Sequence, residues 1–173
     1  MAGHSDNDMG LPAFDKPVRI AIVIAPYYTA IAHAQIAAAT AVLDQAGATH
    51  QVIEVPGSLE IATAIAIAHR LAEFDGYVAL GCVIRGATSH YDVVVNESSR
   101  ALTMLGLQGL CIGNGIITVE TRDQAEERAD AARLNTAGGA AAAALHLIAL
   151  TRTFAKPKGG VGFQPRSESK ATS

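Results

Sequence analysis

The chain has 173 residues, half of them hydrophobic, with a formal net charge of −3 and no tryptophan. Its length suits one domain, its apolar half suits a proper core, and its slight acidity gives no broad basic footprint for nucleic acid. Much of the apolar content is alanine; alanine-rich helices bury little area each, which favours an oligomer that adds interface burial.

The opening MAGHSDNDMG lacks the basic start and apolar run of a signal peptide. The longest apolar stretch, 137–150, contains two glycines and His146 and is too short to cross a bilayer. A soluble, cytoplasmic protein with no membrane partner is expected. Cys82 and Cys111 both sit in apolar runs and read as buried free thiols of a reducing compartment rather than a disulfide. Composition divides the chain into a flexible N-terminal segment (1–17), a domain (18–155) and a flexible tail (156–173) rich in Lys, Gly, Pro and Ser.

Within the domain, strand and helix patterns alternate. Residues 18–25 (VRIAIVIA) form a continuous apolar run, as expected for a strand covered on both faces. Residues 30–46 read as a helix stopped by Gly47. A second strand, 49–55, breaks at Pro56-Gly57, and Ser58 is placed to cap a helix that points Ile61, Ile65 and Leu71 to a core. The third strand is 77–84. Beyond a polar block, Tyr91, Val94, Val95, Ala101, Leu102 and Leu105 follow helical spacing. Residues 107–113 read as a fourth strand. Thr121 with Gln124 resembles a capping box opening a helix to about residue 129, and a last helix reaches about Thr153. Repeated βα units of this kind predict an α/β fold: a three-layer αβα sandwich on a four-stranded parallel sheet with flavodoxin-like topology.

In such sheets ligands bind beyond the carboxyl ends of the strands. Four clusters are expected there: Tyr27-Tyr28, then Pro56-Gly57-Ser58 with Glu60, then Arg85 to Asp92, then Asn114. Each alone has a bland explanation, in packing, capping or turn formation. Their recurrence at every strand end favours a site. Gly86, Thr88 and Ser89 lie between a strand and a helix, where backbone N–H groups and hydroxyls suit a phosphate. Neither a Walker loop nor a dinucleotide fingerprint is present, so a small phosphorylated molecule fits better than a nucleoside triphosphate. The tyrosines suggest a flat ring, Ser58 and Glu60 a polyol, and His90 proton transfer near neutral pH.

Three stretches carry a family resemblance: VPGSLEI at 55–61, GCVIRGATSHYD at 81–92 with NES following, and GNGIITVET at 113–121. Over residues 18–153 the chain resembles the lumazine synthases of riboflavin biosynthesis. That resemblance implies a transferase that condenses 5-amino-6-(D-ribitylamino)uracil with 3,4-dihydroxy-2-butanone 4-phosphate, with loss of phosphate and two waters. It implies no metal and no cofactor. It makes Tyr27 the stacking partner of the pyrimidine and assigns the ribityl chain to Ser58 and Glu60. The backbone of Val83 and Ile84 lines the ring site, and Gly57 and Cys82 complete that substrate-binding set. Ala87 and Thr88 fall in the phosphate loop, His90 shuttles protons and Arg128 grips phosphate. The family's sites lie between subunits of a pentamer, itself the unit of decamers and larger shells, so Asn114 and Arg128 are expected to serve a neighbour's pocket. Asn114 stands where many members carry an aromatic residue, and Thr136 where many carry a lysine; Arg133 is the nearby cation.

The chemistry runs from imine formation through phosphate elimination to ring closure, and each step moves a proton. His90 is the group suited to this by residue type and place. Arg85 reads as a structural salt-bridge former, and Cys82, among apolar neighbours, as a poor nucleophile. Two other readings are a non-catalytic flavin- or lumazine-binding shell or carrier, and a flavodoxin-like electron carrier.

Overall fold

The computed structural model describes residues 9–155, so the tail expected at 156–173 lies outside the described residues. Four strands, β1 (Arg19–Ile24), β2 (Thr49–Glu54), β3 (Gly76–Ile84) and β4 (Ile112–Val119), form one parallel sheet in the order β2-β1-β3-β4. The helices are α1 (Thr29–Gln45), α2 (Ser58–Leu71), α3 (His90–Leu107), α4 (Arg122–Ala129) and α5 (Thr136–Ala155).

The continuous apolar run of β1 has a simple cause. Ile20, Ile22 and Ile24 point to one face and pack with Leu43 of α1 and Leu145 of α5. Ala21 and Val23 point to the other and pack with Ile61 and Ile65 of α2 and Leu102 of α3. Side chains alternate along a strand, so a strand buried on both faces must be apolar throughout. The result is the expected three-layer sandwich, with the strand order of a flavodoxin-like sheet. The edge strand β4 instead alternates buried with partly or fully exposed positions, and the edge strand β2 has no fully buried residue.

Three expectations need correction. Leu71 does not point to a core but is exposed at the end of α2. The fourth strand is not 107–113: α3 continues to Leu107, a turn follows with Gly109 at φ +95°, and β4 starts at Ile112. Asn114 therefore lies near the start of β4, opposite Ala79, and not at a strand's carboxyl end. Nor does Ser58 cap α2. Gly57 is the N-cap residue, no side chain caps it, and Ser58 is the first helical residue. The capping box of α4, by contrast, is formed in both directions between Thr121 and Gln124.

The glycines flanking Asn114 serve packing, not a turn. A Cβ on Gly113 would sit 1.8 Å from the Ala140 carbonyl oxygen, and one on Gly115 would sit 2.7 Å from Leu80 Cδ2. Helix α5 thus lies on β4 at a distance only glycine permits. Gly113→Ala is expected to force α5 off the sheet and to destabilise the fold by about 1–3 kcal/mol or more. Urea denaturation checks this, and an unchanged midpoint would contradict the contact.

Part of the stretch 9–17, before the domain boundary drawn from composition, contacts the domain. Leu11 and Phe14 pack on the α1/α5 core. Arg152 of α5 donates to the carbonyls of Lys16 and Pro17 at 2.9 and 2.8 Å and pairs with Asp75 at 3.1 Å.

Candidate active site

The carboxyl ends of β1, β2 and β3 open into a cavity of about 540 Å³, a size suited to a small molecule. Of the residues singled out from the sequence, Tyr27, Gly57, Ser58, Glu60, Cys82, Val83, Ile84, Thr88 and His90 line it. Ala87 sits in the same loop, between the lining residues Gly86 and Thr88, without lining the cavity itself. Asn114 and Arg128 do not line it.

Each wall follows from local structure. Strand β1 ends at Ile24 and α1 begins at Thr29, so Tyr27 and Tyr28 fall in the connection. Their rings meet edge-on at 5.0 Å, which leaves Tyr27 three-quarters exposed. Ser58 is buried at the start of α2, and its Oγ lies 3.1 Å from where a Cβ on Gly81 would be. Glycine at 81 makes room for that hydroxyl. Glu60 folds back towards Gly57, with Oε2 2.8 Å from a Cβ placed there.

The β3–α3 loop supplies the last wall. Its helix, α3, opens with His90, and the backbone N–H of His90 donates to Thr88 Oγ1 at 3.4 Å. Arg85 behaves as a structural cation: it pairs with Glu120 at 2.9 Å and with Asp92 at 3.1 Å. Behind the wall, fully buried Gln35 of α1 donates from Nε2 to the carbonyls of Gly81 and Gly115 at 3.1 and 2.9 Å. That side chain ties the helix following the tyrosines to β3 and β4 just before the lining residues Cys82 to Ile84 begin.

Cys82 is buried, and burial pushes its thiol up from 9.0 to about 11, with Arg122 pulling weakly the other way. The thiolate is the nucleophile, so Cys82 carries no nucleophilic chemistry near neutral pH. The native state resists ionisation that the unfolded chain accepts. Stability is therefore expected to fall as pH rises from about 9 to about 11, and Cys82→Ala should lessen that slope, leaving the share of the Tyr28 and Tyr77 phenols, which burial also raises. Iodoacetamide labelling of the folded protein, read by mass spectrometry, should be slow at Cys82 near neutral pH. Rapid labelling there would contradict the burial.

Reading from the sequence passed over Tyr91 and Val94 as site residues. Both line the cavity from α3. The signal was available: Val94 lies four residues after His90, and that interval returns a helix to the same face.

Arg128 lies in the last turn of α4 and donates from Nη1 to the Gln124 carbonyl at 3.1 Å. Among the described residues it has no acidic partner, whereas its neighbours Arg122 and Arg133 pair with Glu126 and Glu127 at 2.8 and 2.9 Å. Arg133 is thus engaged within its own chain. Asn114 is exposed on the edge strand β4, where its Oδ1 accepts from the Ile116 N–H at 3.0 Å.

Comparison with known proteins places this geometry. The family model described as 6,7-dimethyl-8-ribityllumazine synthase matches residues 17–152. A protein of that name from Jannaschia sp. (strain CCS1) is 80% identical over 166 residues, covering 96% of this chain and 93% of the relative. Others of the same name include one from Methylobacterium radiotolerans, 52% identical over 88% of this chain and 95% of the relative. The relative from Rhizobium meliloti named 6,7-dimethyl-8-ribityllumazine synthase 1 is 48% identical over 83% of this chain and 97% of the relative. With its cavity lined from two of the three stretches that carried the resemblance, 55–61 and 81–92, the chain belongs to the 6,7-dimethyl-8-ribityllumazine synthase family.

Proposed function

We propose that this chain makes 6,7-dimethyl-8-ribityllumazine for riboflavin biosynthesis, condensing 5-amino-6-(D-ribitylamino)uracil with 3,4-dihydroxy-2-butanone 4-phosphate. The observation that carries this reading is the gathering of Tyr27, Ser58, Glu60, Thr88 and His90 around one cavity in a member of this family. The exposed face of Tyr27 offers a platform for the pyrimidine. Ser58 and Glu60 offer a hydroxyl and a carboxylate to the ribityl chain, with Gly57 allowing the close return of Glu60. The backbone of Cys82, Val83 and Ile84 borders the ring. Gly86, Ala87 and Thr88, at the start of an 18-residue helix, suit the phosphate, since free N–H groups and the helix dipole both favour an anion there. His90, beside that loop, takes and returns the protons of imine formation, elimination and ring closure. Holding two reactants in one cavity supplies much of the remaining acceleration.

The same reading includes an oligomer, a pentamer, in which Asn114 and Arg128 complete a neighbour's cavity. Two features support it. Neither residue lines the cavity of its own chain, and Arg128 has no acidic partner among the described residues. Helices α2 and α3 also leave Ile67, Leu71, Val93, Met104 and Leu107 exposed, a set of apolar side chains suited to an interface. Decamers and larger shells would be built from such pentamers. The proposed setting is the cytoplasm; among the described residues no helix is long and apolar enough to cross a membrane. One domain over residues 18–155 belongs to the proposal too; residues 1–8 and 156–173 lie outside the described residues.

Incubating the purified protein with both substrates and following product fluorescence tests the activity. Steady formation of ribityllumazine supports it. Tight binding of ribityllumazine without formation would favour the non-catalytic carrier instead.

A further inference from the structure

Arg85 stands between two residues that line the cavity, Ile84 and Gly86, yet its own side chain does not line it. Its backbone N–H donates to the Val119 carbonyl at 2.9 Å, which pins the residue to the end of β4. Its Nε faces the Glu120 carboxylate, with Oε2 at 2.9 Å and Oε1 at 3.0 Å. Its Nη1 donates to Asp92 Oδ1 at 3.1 Å. Its Cζ lies 4.0 Å from the centroid of the Tyr91 ring.

These contacts join two parts of the molecule. Glu120 belongs to the root of α4, where its N–H donates to Gln124 Oε1 beside the capping box. Tyr91 and Asp92 belong to the first turn of α3, directly after His90. A guanidinium is a planar fork and fixes angles as well as distances, which the point charge of a lysine does not. The start of α3 has few other restraints. Its N-cap residue Ser89 makes no side-chain cap, and the Thr88 bond to His90 N–H is long at 3.4 Å. As ion pairs the contacts of Arg85 add little stability, because all three side chains are well exposed to solvent. What they fix is direction.

We propose that Arg85 is a positioning residue for the reaction: its bonds to Glu120 and Asp92 and its stacking on Tyr91 aim the first turn of α3, and with it His90, into the cavity. The inference rests on the reading of His90 as the proton-transfer group. A displacement of a reacting group by about 1 Å can cost on the order of 10² in rate, so loss of the clamp shows in turnover before it shows in folding.

The test uses the full chain. Arg85→Met keeps the apolar stem, Arg85→Lys keeps the charge, and Glu120→Gln removes the carboxylate charge. Each is made with His90 intact and with His90→Ala, and kcat, both KM values and Tm are measured. With His90 intact, Arg85→Met and Arg85→Lys are expected to lower kcat about tenfold or more. Both KM values should stay within about twofold. On the His90→Ala background, Arg85→Met should change kcat by less than about twofold, because two residues acting through one step are not additive. Glu120→Gln should lower kcat in the same direction, and adding it to Arg85→Met should cost nothing further. A wild-type kcat in Arg85→Lys overturns the inference. So does a full proportional loss from Arg85→Met on the His90→Ala background. If Arg85→Met fails to fold, Arg85→Lys and Glu120→Gln decide by the same criteria. Full turnover in His90→Ala alone would sink the reading of His90. A slow His90→Ala beside a normal Arg85→Lys would sink only the positioning role.

Discussion

Replacing His90 by alanine is expected to lower kcat by roughly 10²–10⁴-fold, the range for loss of a positioned general acid and base. The fold should survive. His90 is exposed at the first position of α3, so its truncation removes no core contact. A surface substitution of that kind usually shifts stability within about 0.5 kcal/mol. Imidazole suits the task because it donates and accepts protons near neutral pH, and the reaction needs both directions in succession. The residual rate should still exceed that of free substrates, since the cavity continues to hold them together. Single-turnover mixing separates the two contributions. It should show binding of the pyrimidine intact and the chemical steps slowed. Turnover at the wild-type rate in a folded His90→Ala protein would remove His90 from the chemistry.

The sheet and its helices were legible because their causes are local. A strand buried on both faces must be apolar throughout, and 18–25 reads that way; the observed strand is Arg19–Ile24. The capping box at Thr121 and Gln124 is a short-range hydrogen-bond pattern, and it forms as the spacing predicts. The fourth strand was misplaced because its evidence is not local. Residues 113–115 read as glycine-asparagine-glycine, which in isolation signals a turn. The glycines are there for α5, whose Ala140 carbonyl lies where a Cβ on Gly113 would be. Nothing near 113 in the chain announces a helix 27 residues further on that demands bare backbone.

The same division holds at the site. The β3–α3 loop was legible because polar residues packed after an apolar strand have few structural reasons to be there. The role of Arg85 as a clamp was legible in kind, as a salt bridge, but not in partner: Glu120 is 35 residues away and is brought close only by the pairing of Ile84 with Val119. The anchoring by Gln35 was not legible at all. A glutamine amid alanines on a helix reads as a solvent-facing residue. Only the packing of α1 over β3 and β4 turns it into a buried donor to two strands.

Arg128→Ala is expected to raise the KM for the butanone phosphate by roughly 10–100-fold, the loss of a charge-assisted hydrogen bond worth about 1.5–3 kcal/mol. The KM for the pyrimidine should move far less. The structural ground is the state of α4: the cations on either side of Arg128 are already paired with Glu126 and Glu127, and among the described residues no acidic group faces Arg128. Arg133→Ala is the matched control, because that side chain is committed to Glu127 and should leave both KM values near wild type. Since Arg128 does not line the cavity of its own chain, its phosphate must sit in another chain's cavity if the proposed assembly is right. That consequence can be measured directly. His90→Ala subunits spoil the cavity they enclose, and Arg128→Ala subunits spoil the one they would complete. Subunits of the two variants are dissociated, mixed and reassembled, and mass spectrometry verifies mixed oligomers. At boundaries where a cavity with His90 intact meets a neighbour with Arg128 intact, whole sites return. Activity assayed at a phosphate-substrate concentration well below the raised KM should then exceed that of either parent. Verified mixed oligomers with no gain over their parents would mean that each chain acts alone. Arg128, with no acidic partner among the described residues, would then need another anion to explain it.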